Sequence, residues 1–379
     1  MSAGIPIRGF VAHGYEPVRE AFTWNFCRED GHQELGAALT AYSAGRCVVD
    51  LWGGFMDCDC SRPWQSETLV NVWSTTKGVT ALAVALLVER GLLRYSQAVA
   101  DVWPEFGVAG KENVTVAQIM AHRAGLPGFE EPTTLRDVYD WQRCCDRLAL
   151  QRPVFEPGSA SCYHTITYGI LAGEVVRRVT GQTIGSFLAR ALAEPLTAEF
   201  LIGVPASRDA QIAELLPPER LSGPAADVSR AVSMAIGNPA LDVASAATRA
   251  WRAAEVPAAN GHGSARGIAR LFAVLAGGGE FEGQRLFSPN VIAAMCRVYA
   301  SGSDLLMGYD PQWCMGLYHN VNGMYGSDPR TVGHSGWGGS FGCANLQRRL
   351  AIGYVCNRMG SEMVGDERAR SLARSFDSL

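Results

Sequence analysis

Val72-Trp73-Ser74-Thr75-Thr76-Lys77-Gly78 is the stretch from which the rest of the chain is read. It stands at the head of residues 78–92, which are apolar nearly all round and therefore predict a helix buried in the core. Lys77 is one of only two lysines, with Lys111, in a chain of 33 basic residues. Arginine supplies the surface charge, so Lys77 is hard to read as one more solubilising cation. Arginine keeps its proton in a protein, whereas a buried lysine shifts its pKa readily. A position that needs an amine base can use lysine and not arginine. Residues three apart share a helix face, so Lys77 reaches the hydroxyl of Ser74. The helix N-terminus sets positive partial charge beside that hydroxyl. Burial disfavours the charged amine, and a neutral amine can accept the serine proton. The bland alternative is an N-cap serine with a lysine stretched to solvent.

Outward from this point the chain reads as strands at both ends and helices between. A helix is expected over 16–28. Strands at 39–43 and 46–52 flank Ala44-Gly45, a hairpin turn, and Gly53-Gly54 breaks the second strand. Helical segments follow at 116–122, 135–150, 168–180 and 184–192, punctuated by Gly125-Leu126-Pro127-Gly128, Glu156-Pro157-Gly158, Gly181 and Pro195. Residues 205–241 are Ala/Pro-rich and irregular, an expected surface excursion near a cleft. A helix returns at 264–276, strands at 312–319, 341–347 and 350–357 with a turn at Arg348-Arg349, and a last helix at 363–376. The expected fold is α+β: an antiparallel sheet flanked by helices and formed by both chain ends, with an inserted mainly helical domain. The corresponding partition is 1–104 with 263–379 as the sheet domain and 105–262 as the helical domain, the cleft lying between them.

Composition bounds the function. The 379 residues are 47% hydrophobic and 18% charged with a net charge of -4, an ordered globular chain without a basic stripe. Nucleic acid and anionic membrane surfaces are not expected partners. The longest apolar run, 81–88, is too short to span a bilayer. The start, Met1 to Arg8, lacks the pattern of an export signal, so a cytoplasmic location is expected. The eleven cysteines include Cys58-Asp59-Cys60 and Cys144-Cys145 but no Cys-x-x-Cys, which reads as free thiols. Cys162 lies next to Tyr163 but has no base paired with it in the pattern.

Two further elements carry chemistry. Tyr163 follows the Pro157-Gly158 turn and is presented from a loop. Its phenol, with a reference pKa of about 10, is a credible proton shuttle beside an amine; a buried, hydrogen-bonded tyrosine is the alternative. Gly333-His334-Ser335-Gly336-Trp337-Gly338-Gly339-Ser340 is rich in glycine, which in a strand often marks close approach by a ligand or another backbone. Backbone N–H groups there can face a developing oxyanion. The Trp337 side chain is a pocket candidate. Tyr139 and Trp141 either wall an acyl pocket or pack in the core. His122, His164 and His262 read as structural, and Lys111, in a polar turn, as a solvated charge.

Ser74-x-x-Lys77, Tyr163-x-Thr165 and His334-Ser335-Gly336 resemble, in order and spacing, the three motifs of the serine β-lactamase and penicillin-binding-protein superfamily. The likeness is strongest to the family VIII carboxylesterases, which are similar to class C β-lactamases. It extends through Gly53-Gly54, His122-Arg123-Ala124-Gly125-Leu126-Pro127, Tyr163 to Gly169, Asn260-Gly261-His262-Gly263 and Asn357-Arg358-Met359. The resemblance implies Ser74 as the acylated nucleophile, Lys77 and Tyr163 sharing the general base and acid roles, and the N–H groups of Ser74 and Trp337 as the oxyanion hole. It also implies substrate contacts from His334, Ser335, Gly336 and Trp337. Which of Lys77 and Tyr163 takes the first proton stays open.

Two departures matter. Penicillin-directed relatives carry Lys-Thr-Gly at the third motif, and a mostly neutral His334 is a poorer partner for a substrate carboxylate. Thr165 stands where the second motif usually has Asn. Both favour neutral esters. The expectation is a serine hydrolase acting on short-chain carboxylic esters, small-molecule substrates, with no metal or organic cofactor implied and oligomeric state open. A β-lactamase or D-amino-acid peptidase, an acyltransferase using the same acyl-enzyme, and a non-catalytic penicillin-binding-like protein are the alternatives.

Overall fold

The computed structural model describes residues 5–218 and 228–379. The chain opens with β1 (Ile7–Val11), α1 (Glu16–Asn25), β2 (Gly36–Ser43) and β3 (Arg46–Gly54). The helices that position the site are α2 (Thr75–Glu89), α3 (Thr167–Thr180) and α4 (Ala265–Ala276). The chain closes with β4 (Tyr318–His319), β5 (Val332–Ser335), β6 (Phe341–Asn345), β7 (Leu350–Cys356) and α5 (Glu367–Arg374). The strands form one seven-stranded sheet in the order β1-β3-β2-β7-β6-β5-β4, antiparallel throughout. The expected fold class, an antiparallel sheet flanked by helices, is the one observed.

The two chain ends meet at β2 and β7, both nearly wholly buried. Strand alternation divides their side chains between two layers. Leu39, Ala41, Ile352 and Tyr354 pack with Val18 and Phe22 of α1 and Leu372 of α5. Ala38, Ala351 and Val355 belong to the cluster that contains Ile268 and Phe272 of α4. A Cβ on Gly353 would sit 2.5 Å from the Ala265 carbonyl oxygen and the Ala269 nitrogen, so the bare backbone is what lets α4 lie directly on the sheet.

In α2 every residue from Thr75 to Leu87 is buried, as its apolar circumference predicts. It lies against α3 and β5. A Cβ on Gly78 would lie 3.0 Å from the Phe272 ring and 3.1 Å from the His334 Cβ, which brings the first and third motifs side by side.

Several elements differ from expectation. β1 is a strand that the sequence reading did not assign. The stretch expected to be a strand at 312–319 is one only at Tyr318–His319, because Gly316 takes a left-handed φ of 79° and turns the chain. The 135–150 helix is two, Leu135–Val138 and Trp141–Leu150, since Asp140 leaves helical geometry and caps the second. The last helix starts only at Glu367, after Gly365 (φ 59°) and the cap residue Asp366. Of the irregular 205–241 stretch, residues 219–227 lie outside the described residues. The remainder contains a 3-10 turn at Ala206–Gln211 and a helix at Arg230–Gly237.

Lys111 is corrected from a solvated charge to a buried one. Its Nζ donates to the carbonyls of Val108 (3.0 Å) and Gln151 (2.5 Å) and lies over the Phe106 ring. Buried carbonyls need donors, and burial pulls this amine down to about 8. Among the described residues no helix is long and apolar enough to cross a membrane.

Candidate active site

Ser74 stands where the short Val70–Asn71 strand gives way to α2. The residue before it, Trp73, has φ 45°. A bulky side chain in left-handed geometry is strained and persists only where packing enforces it. That packing comes from Trp251 and Trp337, whose rings lie 5.6 Å and 5.2 Å from the Trp73 ring. Ser74 makes no side-chain cap to the helix, and Lys77 is 0% exposed. The structure therefore does not have the capping serine and solvent-reaching lysine of the bland alternative. Instead Lys77 Nζ lies 3.1 Å from Ser74 Oγ.

Lys77 Nζ has two more partners, the carbonyl oxygens of Thr165 at 2.8 Å and Ala258 at 3.0 Å. Burial pushes its pKa well below that of an ordinary lysine, with no carboxylate opposing the shift. A neutral amine has two N–H donors and one lone pair. In that neutral form, with the two carbonyls taking the two donors, the lone pair is the part left to face the Ser74 hydroxyl.

The Ala258 carbonyl is itself held in place. Asn260 accepts from Val256 N–H (2.8 Å) and donates to the carbonyls of Trp251 (2.8 Å) and Ala254 (2.6 Å). Thr80 on α2 donates to the Pro257 carbonyl at 2.7 Å. At the start of α3, a Cβ on Gly169 would fall 2.4 Å from Ala258 N, so this loop fits against the helix only over glycine.

Tyr163 is buried, with its ring 4.6 Å from Lys77 Nζ. Burial raises its phenol pKa far above the usual value, opposed mainly by a hydrogen bond with Ser74. Asp304 accepts from the backbone N–H of Tyr163 (3.1 Å), Leu306 (3.0 Å) and Met307 (3.2 Å), and from the Trp313 indole (3.2 Å). Trp313 stacks on Tyr163 at 5.8 Å and 14°. The phenol is thus fixed through its backbone and its ring face.

The three structural histidines are buried and neutral. His122 (φ 60°) accepts the His164 backbone N–H at Nδ1 and packs against the Tyr163 ring at 4.7 Å, tilted by 48°. His164 accepts from Leu126 N–H, and His262 Nδ1 bonds the Asn260 carbonyl. Burial pushes both His164 and His262 down to about 4. The Cys162 thiol is buried, which raises its pKa and holds it protonated.

The third motif ends β5. Gly336 lies against the residues before Ser74: a Cβ there would meet the Val72 carbonyl oxygen at 2.1 Å. Ser340 Oγ donates to that same carbonyl at 2.9 Å, and Thr75 Oγ1 donates to the Ser340 carbonyl at 3.2 Å. These bonds tie the turn after β5 to the start of α2. Among the described residues, neither the Ser74 N–H nor the Trp337 N–H has a hydrogen-bond acceptor. His334 is buried beside Lys77, and burial above all pushes it down to about 3. Its Nδ1 bonds the Ser335 carbonyl at 2.9 Å, while its Nε2 has no partner among the described residues. The Ser335 hydroxyl is bonded to Tyr318 Oη.

The aromatic candidates separate. Trp337 is partly exposed and heads a chain of rings that runs through Trp73 and Trp251 to Tyr139, whose ring is 6.5 Å from Trp251. Trp141 instead donates its indole N–H to Glu174 at 2.8 Å and packs over Gly173. These contacts are those of core packing.

The profile of the beta-lactamase family matches residues 22–375. The chain belongs to the beta-lactamase family. Within that family it is 33% identical to the esterase/beta-lactamase LipL of Mycobacterium tuberculosis, over 97% of this chain and 86% of that one. Among solved structures it is similar to a family VIII carboxylesterase, with 44% identity, a TM-score of 0.93 and coverage of 99% of this chain and 100% of the other. It is also similar to a penicillin-binding protein homolog from Caulobacter crescentus, with 40% identity, a TM-score of 0.91 and coverage of 98% and 99%.

For a beta-lactamase-family chain, the sequence reading found the side chains of the three motifs and missed their supports. Asp304, Trp251 and the Thr165 and Ala258 carbonyls carry no motif signal of their own. Asn260 has a sequence signal only through its neighbours: Gly261 and the Pro257 turn are the local signs of a constrained loop.

Proposed function

We propose that the protein is a serine carboxylesterase that cleaves short-chain, neutral esters through an acyl-enzyme on Ser74. The observation that carries this reading is the threefold environment of Lys77 Nζ, two carbonyls and the Ser74 hydroxyl, in a site where burial pushes the amine pKa well below that of an ordinary lysine. Neutral Lys77 takes the Ser74 proton, and Oγ attacks the ester carbonyl. The oxyanion is met by the N–H groups of Ser74 and Trp337, which lack other acceptors among the described residues. Tyr163, kept protonated by burial, gives its proton to the departing alkoxide and is reprotonated by the Lys77 ammonium. Water then enters, and the same groups work in reverse to release the acid. Of the two orders left open by the sequence, the opposite pKa shifts of the amine and the phenol support this one.

Substrate charge follows from the third motif. His334 is held neutral and presents no fixed cation to a carboxylate, and Thr165 supplies no side-chain amide. Trp337, with Tyr139 further along the ring chain, would line the acyl side. The cleft would lie between the sheet domain (1–104 and 263–379) and the helical domain (105–262). The esterase and carboxylesterase names of relatives at 33% and 44% identity support the same class.

The test is intact-mass analysis after treatment with a fluorophosphonate, followed by peptide mapping. One adduct on Ser74, absent in Lys77→Ala, is expected. Labelling elsewhere, or none in the wild type, overturns the assignment.

A further inference from the structure

We propose that Arg368, on the last helix of the chain, is a positioning residue for oxyanion binding: it holds the Gly338 carbonyl and through it the turn that presents the Trp337 N–H. This rests on the esterase reading of Ser74 and Trp337.

The geometry is closed on every side. Arg368 and Asp366 are each 1% exposed and Glu34 is 2% exposed. A guanidinium has five N–H donors in a fixed fork, and all five are engaged. Nε donates to Asp366 (3.0 Å), Nη1 to Glu34 (3.0 Å) and to the Arg358 carbonyl (2.9 Å), and Nη2 to Asp366 and to the Gly338 carbonyl (3.1 Å). The two carboxylates are anchored independently. Asp366 caps α5 through Ala369 N–H at 3.0 Å, and Glu34 accepts from the Tyr354 hydroxyl on β7.

The turn held in this way is closed by Gly336 N–H to the Ser340 carbonyl (2.7 Å) and Gly339 N–H to the Gly336 carbonyl (3.2 Å), and is built on two glycines. Gly338 (φ 87°) and Gly339 (φ 125°) adopt geometry that side chains rarely take. Gly339 and Gly360 both press on Asp366: a Cβ on either would fall within 2.8 Å and 2.6 Å of its Oδ2. The Gly338 carbonyl receives Gly360 N–H at 3.0 Å as well as Arg368. One residue earlier is the Trp337 N–H, without an acceptor among the described residues. Those bonds fix the base of the turn, and Arg368 fixes the Gly338 carbonyl at its far side. An uncompensated cation buried there would be costly, but a fully bonded one specifies a single geometry. Lysine has three donors and no plane, so it cannot make the same set.

The experiment compares Arg368→Lys with wild type by melting temperature, kcat and KM for p-nitrophenyl butyrate, and the Kd of an alkyl trifluoromethyl ketone. The ketone takes up the serine oxygen and leaves an anionic hemiketal, so its affinity reads the oxyanion site rather than the acyl pocket. The expected result is a folded variant with kcat/KM lowered about tenfold or more, ketone affinity lowered by the same factor, and KM within about twofold. A variant with a lower melting temperature but unchanged kcat/KM and ketone affinity shows a brace only and overturns the proposal. If Arg368→Lys does not fold, Asp366→Asn carries the same measurements, since asparagine still caps a helix but loosens the Nη2 fork. Parallel losses support positioning, and no losses overturn it. Wild-type enzyme that hydrolyses no ester and binds no ketone overturns the esterase reading itself, a result distinct from either variant outcome.

Discussion

Lys77 Nζ lies 3.1 Å from Ser74 Oγ while its other two directions are taken by main-chain carbonyls 88 and 181 residues further along the chain. The amine is thus oriented from both sides, and its remaining valence faces the nucleophile. Arginine at this position keeps a permanent charge and has no lone pair to offer. Lys77→Arg should therefore lower kcat/KM for p-nitrophenyl butyrate by about 10²–10⁴-fold, the range of general-base contributions. Fluorophosphonate labelling of Ser74 should slow in parallel. Labelling at the wild-type rate would show that the amine is not the base.

The pH dependence has a defined sign. Lys77 must be neutral, so kcat/KM rises with pH through its pKa in the folded protein, which burial places well below the ordinary lysine value. Tyr163 must be protonated, so kcat/KM falls through its pKa, which burial raises. The acid limb should lie well below the ordinary lysine value, with no alkaline decline up to the free-phenol value of about 10. An acid limb near the ordinary lysine pKa of about 10.4, or an alkaline limb near neutrality, is incompatible with these roles.

Tyr163→Phe separates proton donation from nucleophile activation. A p-nitrophenolate leaves without a proton, whereas an alkoxide needs one. The variant should lose more activity on ethyl butyrate than on p-nitrophenyl butyrate, with the alkyl ester down by about 10²-fold or more. Equal losses on the two esters would place the phenol on the base side instead.

The loop that carries the Ala258 carbonyl can be disturbed without touching the site. Asn260→Ala strands the Val256 N–H and two carbonyls in the interior, which should cost about 2–4 kcal/mol in denaturant unfolding. Gly169→Ala forces a methyl to within 2.4 Å of Ala258 N and should cost about 1–3 kcal/mol. Both should depress kcat at a temperature where the folded fraction is unchanged. Loss of stability with kcat intact would detach this loop from the alignment of Lys77.

The pairing of Ser74 with Lys77 was legible because it is local: one helix turn and two residue types whose chemistry differs from that of the abundant arginines. The hairpin at Ala44-Gly45 and the buried α2 were legible for the same reason, since turn chemistry and periodicity act over a few residues. The order of the three motifs added Tyr163 and His334, and the meeting of both chain ends in one sheet followed from the strand pattern. What sequence could not supply is whatever depends on main-chain atoms or distant partners. The Thr165 and Ala258 carbonyls have no residue-type signature. Asp304 reaches Tyr163 across 141 residues and Arg368 reaches Gly338 across 30. Lys111, polar by its neighbours, became buried because two carbonyls folded over it. Side-chain identity determined which chemistry the chain can perform; tertiary packing decided the charge state and direction of each group, because desolvation and hydrogen-bond geometry exist only once distant segments are brought together.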